Sequence, residues 1–431
     1  MNGAIGRLGY GVRLAASCWA LAVLPAPAAA QDLAITGGTV HTVSGEVLEG
    51  ATVLIRDGRI VEVARDVDLP AGISRVDATD RVVTPGLFDV TTSLGLVEVG
   101  AVSSTVDGQM QGDPVRAAFD VVDGLNPRSV LIPVSRAGGL TTALAAPSGG
   151  LIAGQAAVID LAGTSVDEMV VRAGAAMIAN FSAVAAGGAR GAVSLRLREV
   201  LDDARFWREN RVEFDAGRSR DVSASRLDLE ALGPVLIGEM PLIVSVHRAS
   251  DIEAVLRIAA DYGLDLVIAG GSEAWMVADR IADAGVPVIV KPLTNNPGGF
   301  DRLGARFDNA ALLHAAGVDV IIGSFTSHNA RYLTLEAGNA VRFGLPWEMA
   351  LRAATLAPAK ALGLAAEYGS LEAGKVGNVV VWTGDPFELS SRAETVVIRG
   401  RVTSLDNRQR GLLRRYRELD DERPAFKETG P

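Results

Sequence analysis

Four histidines are all the imidazoles in this 431-residue chain, and their positions limit its chemistry. His247 directly follows the apolar stretch Val244-Ser245-Val246, and His328 follows the apolar residues 318–323. An imidazole at such a strand end can shuttle a proton, bond a backbone carbonyl or bind a metal, so these two are the catalytic candidates. His41 lies in an early β segment and His314 on a helix over 310–316, and both read as structural. Glu273 and Lys291 stand at two further strand ends. Glu273 opens a helix, where a carboxylate suits the dipole. Lys291 suits a plain salt bridge, an anionic ligand or an imine. His247, His328, Glu273 and Lys291 would together line a polar, metal-free pocket, and no spacing rule makes them a metal set. No His-x-His pair occurs. Gly271-Ser272-Glu273 lacks the glycine pattern of a nucleophile elbow.

The elements that must position these side chains alternate between strand and helix. Over 241–323 a strand at 242–246 precedes a helix with Ile252, Val255, Leu256 and Ala259 on one face. Ser250 and Glu253 read as its capping box and Gly263 as its end. A strand at 264–269 follows, then a helix carrying Ala274, Val277, Ala278 and Ile281 and ending at Gly285. Strands at 286–290 and 318–323 continue the pattern. Short strands joined through amphipathic helices predict an α/β protein, a (β/α)8 TIM-like barrel over 85–365. An open doubly wound sheet is the alternative, but Gly187-Gly188-Ala189-Arg190-Gly191 lacks its phosphate fingerprint and reads as a mobile loop. Short strands at 32–35, 39–43, 51–56, 59–64 and 81–83, with a hairpin turn at Asp57-Gly58, return in kind at 377–382 and 394–399. Residues 32–84 and 366–405 therefore predict one small composite β-sandwich. The charged tail, 406–431, reads as a solvated helix of mixed charge.

Composition narrows the partners. Arg7 and Arg13, the apolar stretch 14–24 and Ala28-Ala29-Ala30 form a signal peptide, with cleavage expected after Ala30 and a periplasmic destination. Cleavage removes Cys18, the only cysteine, so disulfides and thiolate metal sites are not expected. The net charge of −10 becomes −12, with no basic stripe, which argues against nucleic acid. No stretch approaches the roughly 20 apolar residues of a transmembrane helix.

Several phrases in order carry a resemblance: Gly37-Gly38-Thr39-Val40, Val83-Thr84-Pro85-Gly86-Leu87-Phe88-Asp89, Gly369-Ser370-Leu371-Glu372-Ala373-Gly374-Lys375, and Asn378-Val379-Val380-Val381-Trp382 with Asp385-Pro386. Over nearly the whole mature length the chain resembles the imidazolonepropionase-like, exported branch of the amidohydrolase superfamily. That resemblance implies a metal-dependent barrel hydrolysing C–N bonds in cyclic amides, imides or dipeptide-like compounds. It also implies zinc held by His-x-His after strand 1, histidines after strands 5 and 6, and an aspartate after strand 8. In this chain Thr91 and Ser93 replace the histidine pair, Gly270 stands at the strand-6 position and Thr326 at the aspartate's. His247 sits at or just past the strand-5 position. With these ligands missing, no metal or other cofactor is expected. Thr91, Ser93, Gly270, Glu273, Lys291 and Thr326 are expected to line the pocket. Three functions follow from this: a catalytically silent member that binds a small molecule or pairs with an active relative or itself, an active hydrolase with a remodelled or metal-free site, or an envelope scaffold.

Overall fold

In the computed structural model, residues 32–182 and 188–417 are described, and all statements below concern them. The proposed signal peptide, Cys18, Gly187 and the tail beyond Arg417 lie outside the described residues.

The early and late β segments meet in one continuous eight-stranded sheet. Its strands are β1 Leu33–His41, β2 Val47–Arg56, β3 Arg59–Ala64, β4 Ser74–Asp77, β5 Val82–Pro85, β14 Val379–Trp382, β15 Ala393–Ile398 and β16 Arg401–Val402. The antiparallel ladder between β5 and β14 joins the two halves. Asp57 and Gly58 both take positive φ, 49° and 79°, and turn β2 into β3 as the sequence predicts. The two strands expected at 32–35 and 39–43 are instead one, because β1 absorbs register shifts around Gly38 without breaking.

The second eight-stranded sheet is the barrel: β6 Leu87–Thr92, β7 Leu140–Ala145, β8 Ile152–Asp160, β9 Val170–Asn180, β10 Leu242–Val246, β11 Leu266–Gly270, β12 Val288–Val290 and β13 Val320–Ile322. The expected α/β barrel is present, with one departure. β8 runs antiparallel to β7 and to β9, so seven strands share a direction and one is reversed. Alternation along the apolar strands divides them between two cores. Val90, Ile243, Val267, Ile289 and Ile321 fill one of these with Phe88 and Leu144. Val244, Ile268, Val290 and Ile322 pack in the other with helix residues such as Ile252 and Leu313.

Helix boundaries differ from the periodicity in two places. Helix Ala249–Tyr262 starts after Arg248, with no side-chain cap, and Glu253 bonds Arg280 at 2.6 Å instead of closing a capping box. Its C-cap is Gly263 with φ 67°, as expected. Residues 274–277 form a 3-10 turn before the short helix Ala278–Asp283. In the tail, helix Arg408–Arg417 buries no residue, as a solvated helix should.

Barrel and sheet are joined through a buried carboxylate. Asp160, at the end of β8, is fully buried and accepts from Thr142 Oγ1 (2.9 Å), Asn378 Nδ2 (3.2 Å), Tyr368 OH (3.1 Å) and Arg399 Nε (2.5 Å). Four donors, one of them a guanidinium, compensate its desolvation. Burial pushes the Tyr368 hydroxyl well above its usual range, so it stays a donor.

Candidate functional site

The barrel opens at the C-terminal ends of β9 and β10 into a cavity of about 850 Å3. Its wall includes Arg116, Asn180, Arg190, Ser245, His247 and Arg302. Of the sequence-level candidates only His247 is on it. Its Nδ1 lies 2.9 Å from Ser272 Oγ, and burial, aided by the nearby Arg302 cation, lowers its pKa to about 4. The ring is therefore neutral near pH 7.

None of the six residues expected to line the pocket lies on this wall. Thr91 instead serves the seam between β6 and β13, which has no ladder of its own. Its Oγ1 accepts from Phe325 N (2.8 Å) and donates to Asp89 Oδ1 (3.1 Å), which also accepts from Thr91 N and Ser324 N. Thr326 belongs to the turn beside that seam, where its carbonyl accepts from Ser324 Oγ at 3.0 Å. Ser93 is half-buried in a turn whose carbonyl bonds Leu96 N.

Glu273 is buried and structural. Its two oxygens accept from Ala249 N (3.1 Å) and Gly304 N (2.8 Å), pinning a helix start and a loop. The expected dipole role is thus exercised at the neighbouring helix, Ala249–Tyr262, and not at the turn that Glu273 precedes. Lys291 lies half-buried beyond β12 and acts electrostatically on Glu336. Glu336 accepts Leu293 N at 2.7 Å, and burial raises its pKa to about 7. His328 is exposed, with Nε2 3.1 Å from the carbonyl of Glu98, so it is not brought to His247. His41 packs on Trp347 with ring centroids 4.5 Å apart, consistent with a structural role.

Sequence reasoning passed over Arg116 and Asn180. Asn180 ends β9 and donates to the Gly150 carbonyl at 2.9 Å, holding the glycine pair 149–150 beside Arg116. A lone arginine in Asp113-Pro114-Val115-Arg116 carries no periodicity or motif, so only the fold reveals its burial.

Comparison with known proteins places this frame. The amidohydrolase family model matches residues 270–403. An amidohydrolase structure from Thermotoga maritima MSB8 superposes with a TM-score of 0.79 at 27% identity, covering 86% of this chain and 99% of that one. The chain belongs to the amidohydrolase superfamily. Imidazolonepropionase of Acidiphilium cryptum (strain JF-5) is 26% identical over 79% of this chain and 89% of its own length. Amidohydrolase tasK of Hapsidospora irregularis is 24% identical over 81% of this chain, which spans only 39% of tasK.

Kinship with this superfamily supports hydrolysis as the general class of chemistry. The residues present do not fit the zinc that the superfamily implies. Among the described residues no group of three His, Cys, Asp or Glu side chains could hold a metal ion. Asp89, two residues before Thr91, spends Oδ1 on three donors in the seam, and its buried Oδ2, without a hydrogen-bond partner, belongs to no group of potential ligands among the described residues. At the strand-6 position, a Cβ on Gly270 would stand 2.4 Å from His247 Cε1. The His247 ring fills the space that a second ligand would need, and no step can be routed through a metal here.

Proposed function

We propose that this amidohydrolase-fold protein binds a small molecule in the cavity at the barrel mouth, with metal-dependent C–N hydrolysis lost or strongly altered. The observation that carries this is the Gly270–His247 arrangement, in which a ligand position has become packing space for the remaining imidazole. Export to the periplasm, suggested by residues 7–30, belongs to the same reading. So does association with an active relative or a second copy.

A second reading has one observation in its favour. Ser272 Oγ and His247 Nδ1 are 2.9 Å apart, the separation of a nucleophile and its base, in support of a metal-free hydrolase. Against it, a ring with a pKa of about 4 is a weak base at neutral pH, and no carboxylate orients its other nitrogen among the described hydrogen bonds.

Metal analysis of the purified chain, with turnover of a dipeptide and cyclic-imide panel, separates the readings. Silence predicts no stoichiometric zinc and no turnover. Zinc at one equivalent, with turnover abolished in His247→Ala, overturns it. Turnover without metal that is lost in Ser272→Ala establishes the dyad instead.

A further inference from the structure

Arg116 is 4% exposed and lies on the wall of the mouth cavity. Its Nε and Nη1 are buried with no hydrogen-bond partner, and no ion pair among the described residues involves its guanidinium. A buried cation without an anion is costly, and proteins rarely keep one without a use.

The neighbouring acids are committed elsewhere. Asp251 pairs with Arg190 Nε at 2.8 Å, Asp301 pairs with Arg302 at 3.5 Å, and Asp113 is exposed and accepts Val115 N. Residues 183–187, outside the described residues, read Ala-Val-Ala-Ala-Gly and contain no acid. Gly150 makes the seat. A Cβ there would stand 2.4 Å from Arg116 Nη2, and its φ of +68° independently favours glycine. The glycine backbone lies against the guanidinium, and Asn180 fixes that backbone through the Gly150 carbonyl.

We propose that Arg116 is the anion anchor of the cavity and that its ligand carries a carboxylate. The inference rests on the ligand-binding reading above and names the ligand's chemical class. A planar carboxylate matches the guanidinium fork, and the bond would supply the charge that the fold withholds. Neutral His247, also on the wall, then meets an uncharged part of the same molecule through hydrogen bonding or packing. Arg190 and Arg302 on the same wall are already paired with acids, which leaves Arg116 as the wall's arginine without an ion-pair partner among the described residues.

The test is thermal unfolding of the full chain with succinate, succinamide or inorganic phosphate, at ionic strength held constant with sodium chloride. Succinate is expected to raise the Tm of the wild type by about 2 °C or more, and succinamide to leave it unchanged. Arg116→Met should fold, with an unchanged circular dichroism spectrum, and show no succinate response. Arg257→Gln, at an exposed arginine that does not line the cavity, is the control and should keep the response. An equal response in Arg116→Met and wild type, or none in wild type, overturns the anchor. A response to phosphate but not succinate overturns the carboxylate assignment. If Arg116→Met does not fold, Arg116→Lys serves: it keeps the charge without the fork, and an undiminished succinate response in it overturns the anchor. Stability is read here independently of turnover. An active wild type that still shows Arg116-dependent protection would sink catalytic silence and leave the anchor standing.

Discussion

The imidazole of His247 stands where a side chain at residue 270 would grow. A Cβ on Gly270 would lie 2.4, 2.8 and 3.1 Å from Cε1, Nδ1 and Nε2 of that ring, and Gly270 itself has φ +92°. The loss of one ligand and the placement of the other are thus one packing arrangement. Putting back a histidine requires His247 to move and residue 270 to accept a glycine conformation. Gly270→His should therefore cost at least about 2 kcal/mol in chemical denaturation and should not recruit zinc. Stoichiometric zinc in the purified variant, at wild-type stability, would show that the site had only lost a residue and not been repacked.

The threonine at residue 91 is a structural residue by its contacts. Thr91 Oγ1 takes the Phe325 amide on one side and bonds Asp89 on the other, bridging two strands that share no ladder. Thr91→Val removes an acceptor and a donor together and should cost about 1–3 kcal/mol. Thr91→Ser, which keeps the hydroxyl, should recover most of that. A Thr91→Val variant as stable as the wild type would show that these hydrogen bonds do not hold the seam, because valine keeps the methyl and loses only the hydroxyl.

Which parts were legible follows from the kind of signal each residue carries. The strand 242–246 and the glycine end at 263 are written in local periodicity and turn chemistry and appear where that pattern puts them, while the strand expected at 286–290 is present but shorter, at 288–290. The reversed β8 has no local mark, because a buried strand reads as the same apolar sequence in either direction. The barrel position of His247 was legible, and its contact with Ser272 was not. Strand ends determine which residues reach the mouth but not how side chains settle between adjacent ends. Thr91, Gly270 and Thr326 were recognisable as departures from the superfamily's wording, but what Thr91 and Gly270 do depends on a neighbour more than 200 residues away or across the next strand, while Thr326 bonds within its own turn. Arg116 illustrates the same gap. Its type is visible in the sequence, while its burial and its lack of a partner exist only in three dimensions.

Glu336 gives the fold a pH dependence of defined sign. Burial, with Asp89 nearby, raises its carboxyl to about 7, against the Leu293 hydrogen bond and the Lys291 charge. A raised folded pKa means that its contribution to stability is complete below about 4.5 and is lost as pH rises through 7. Glu336→Gln keeps an acceptor for Leu293 N without the charge. The variant should exceed the wild type in stability by on the order of 2 kcal/mol at pH 8–9, with the gap closing towards pH 4.5. A gap that stays constant across that range in urea titrations would show that Glu336 does not titrate there.

His247 works in the opposite direction. Burial favours its neutral form and holds the pKa near 4, below the ordinary 6.5. Stability from this group is complete above about 6.5 and is lost as pH falls through 4, because the unfolded chain takes up the proton first. Asparagine at this position can keep a polar contact with Ser272 and has no charge to gain. Between pH 7 and pH 4 the wild type should therefore lose about 2–3 kcal/mol relative to His247→Asn, measured by urea unfolding at each pH. Direct titration of the imidazole by NMR provides the independent check. A midpoint near 6.5 in the folded protein would mean that the ring is solvated, and its contact with Ser272 and its packing against Gly270 would then not persist in solution.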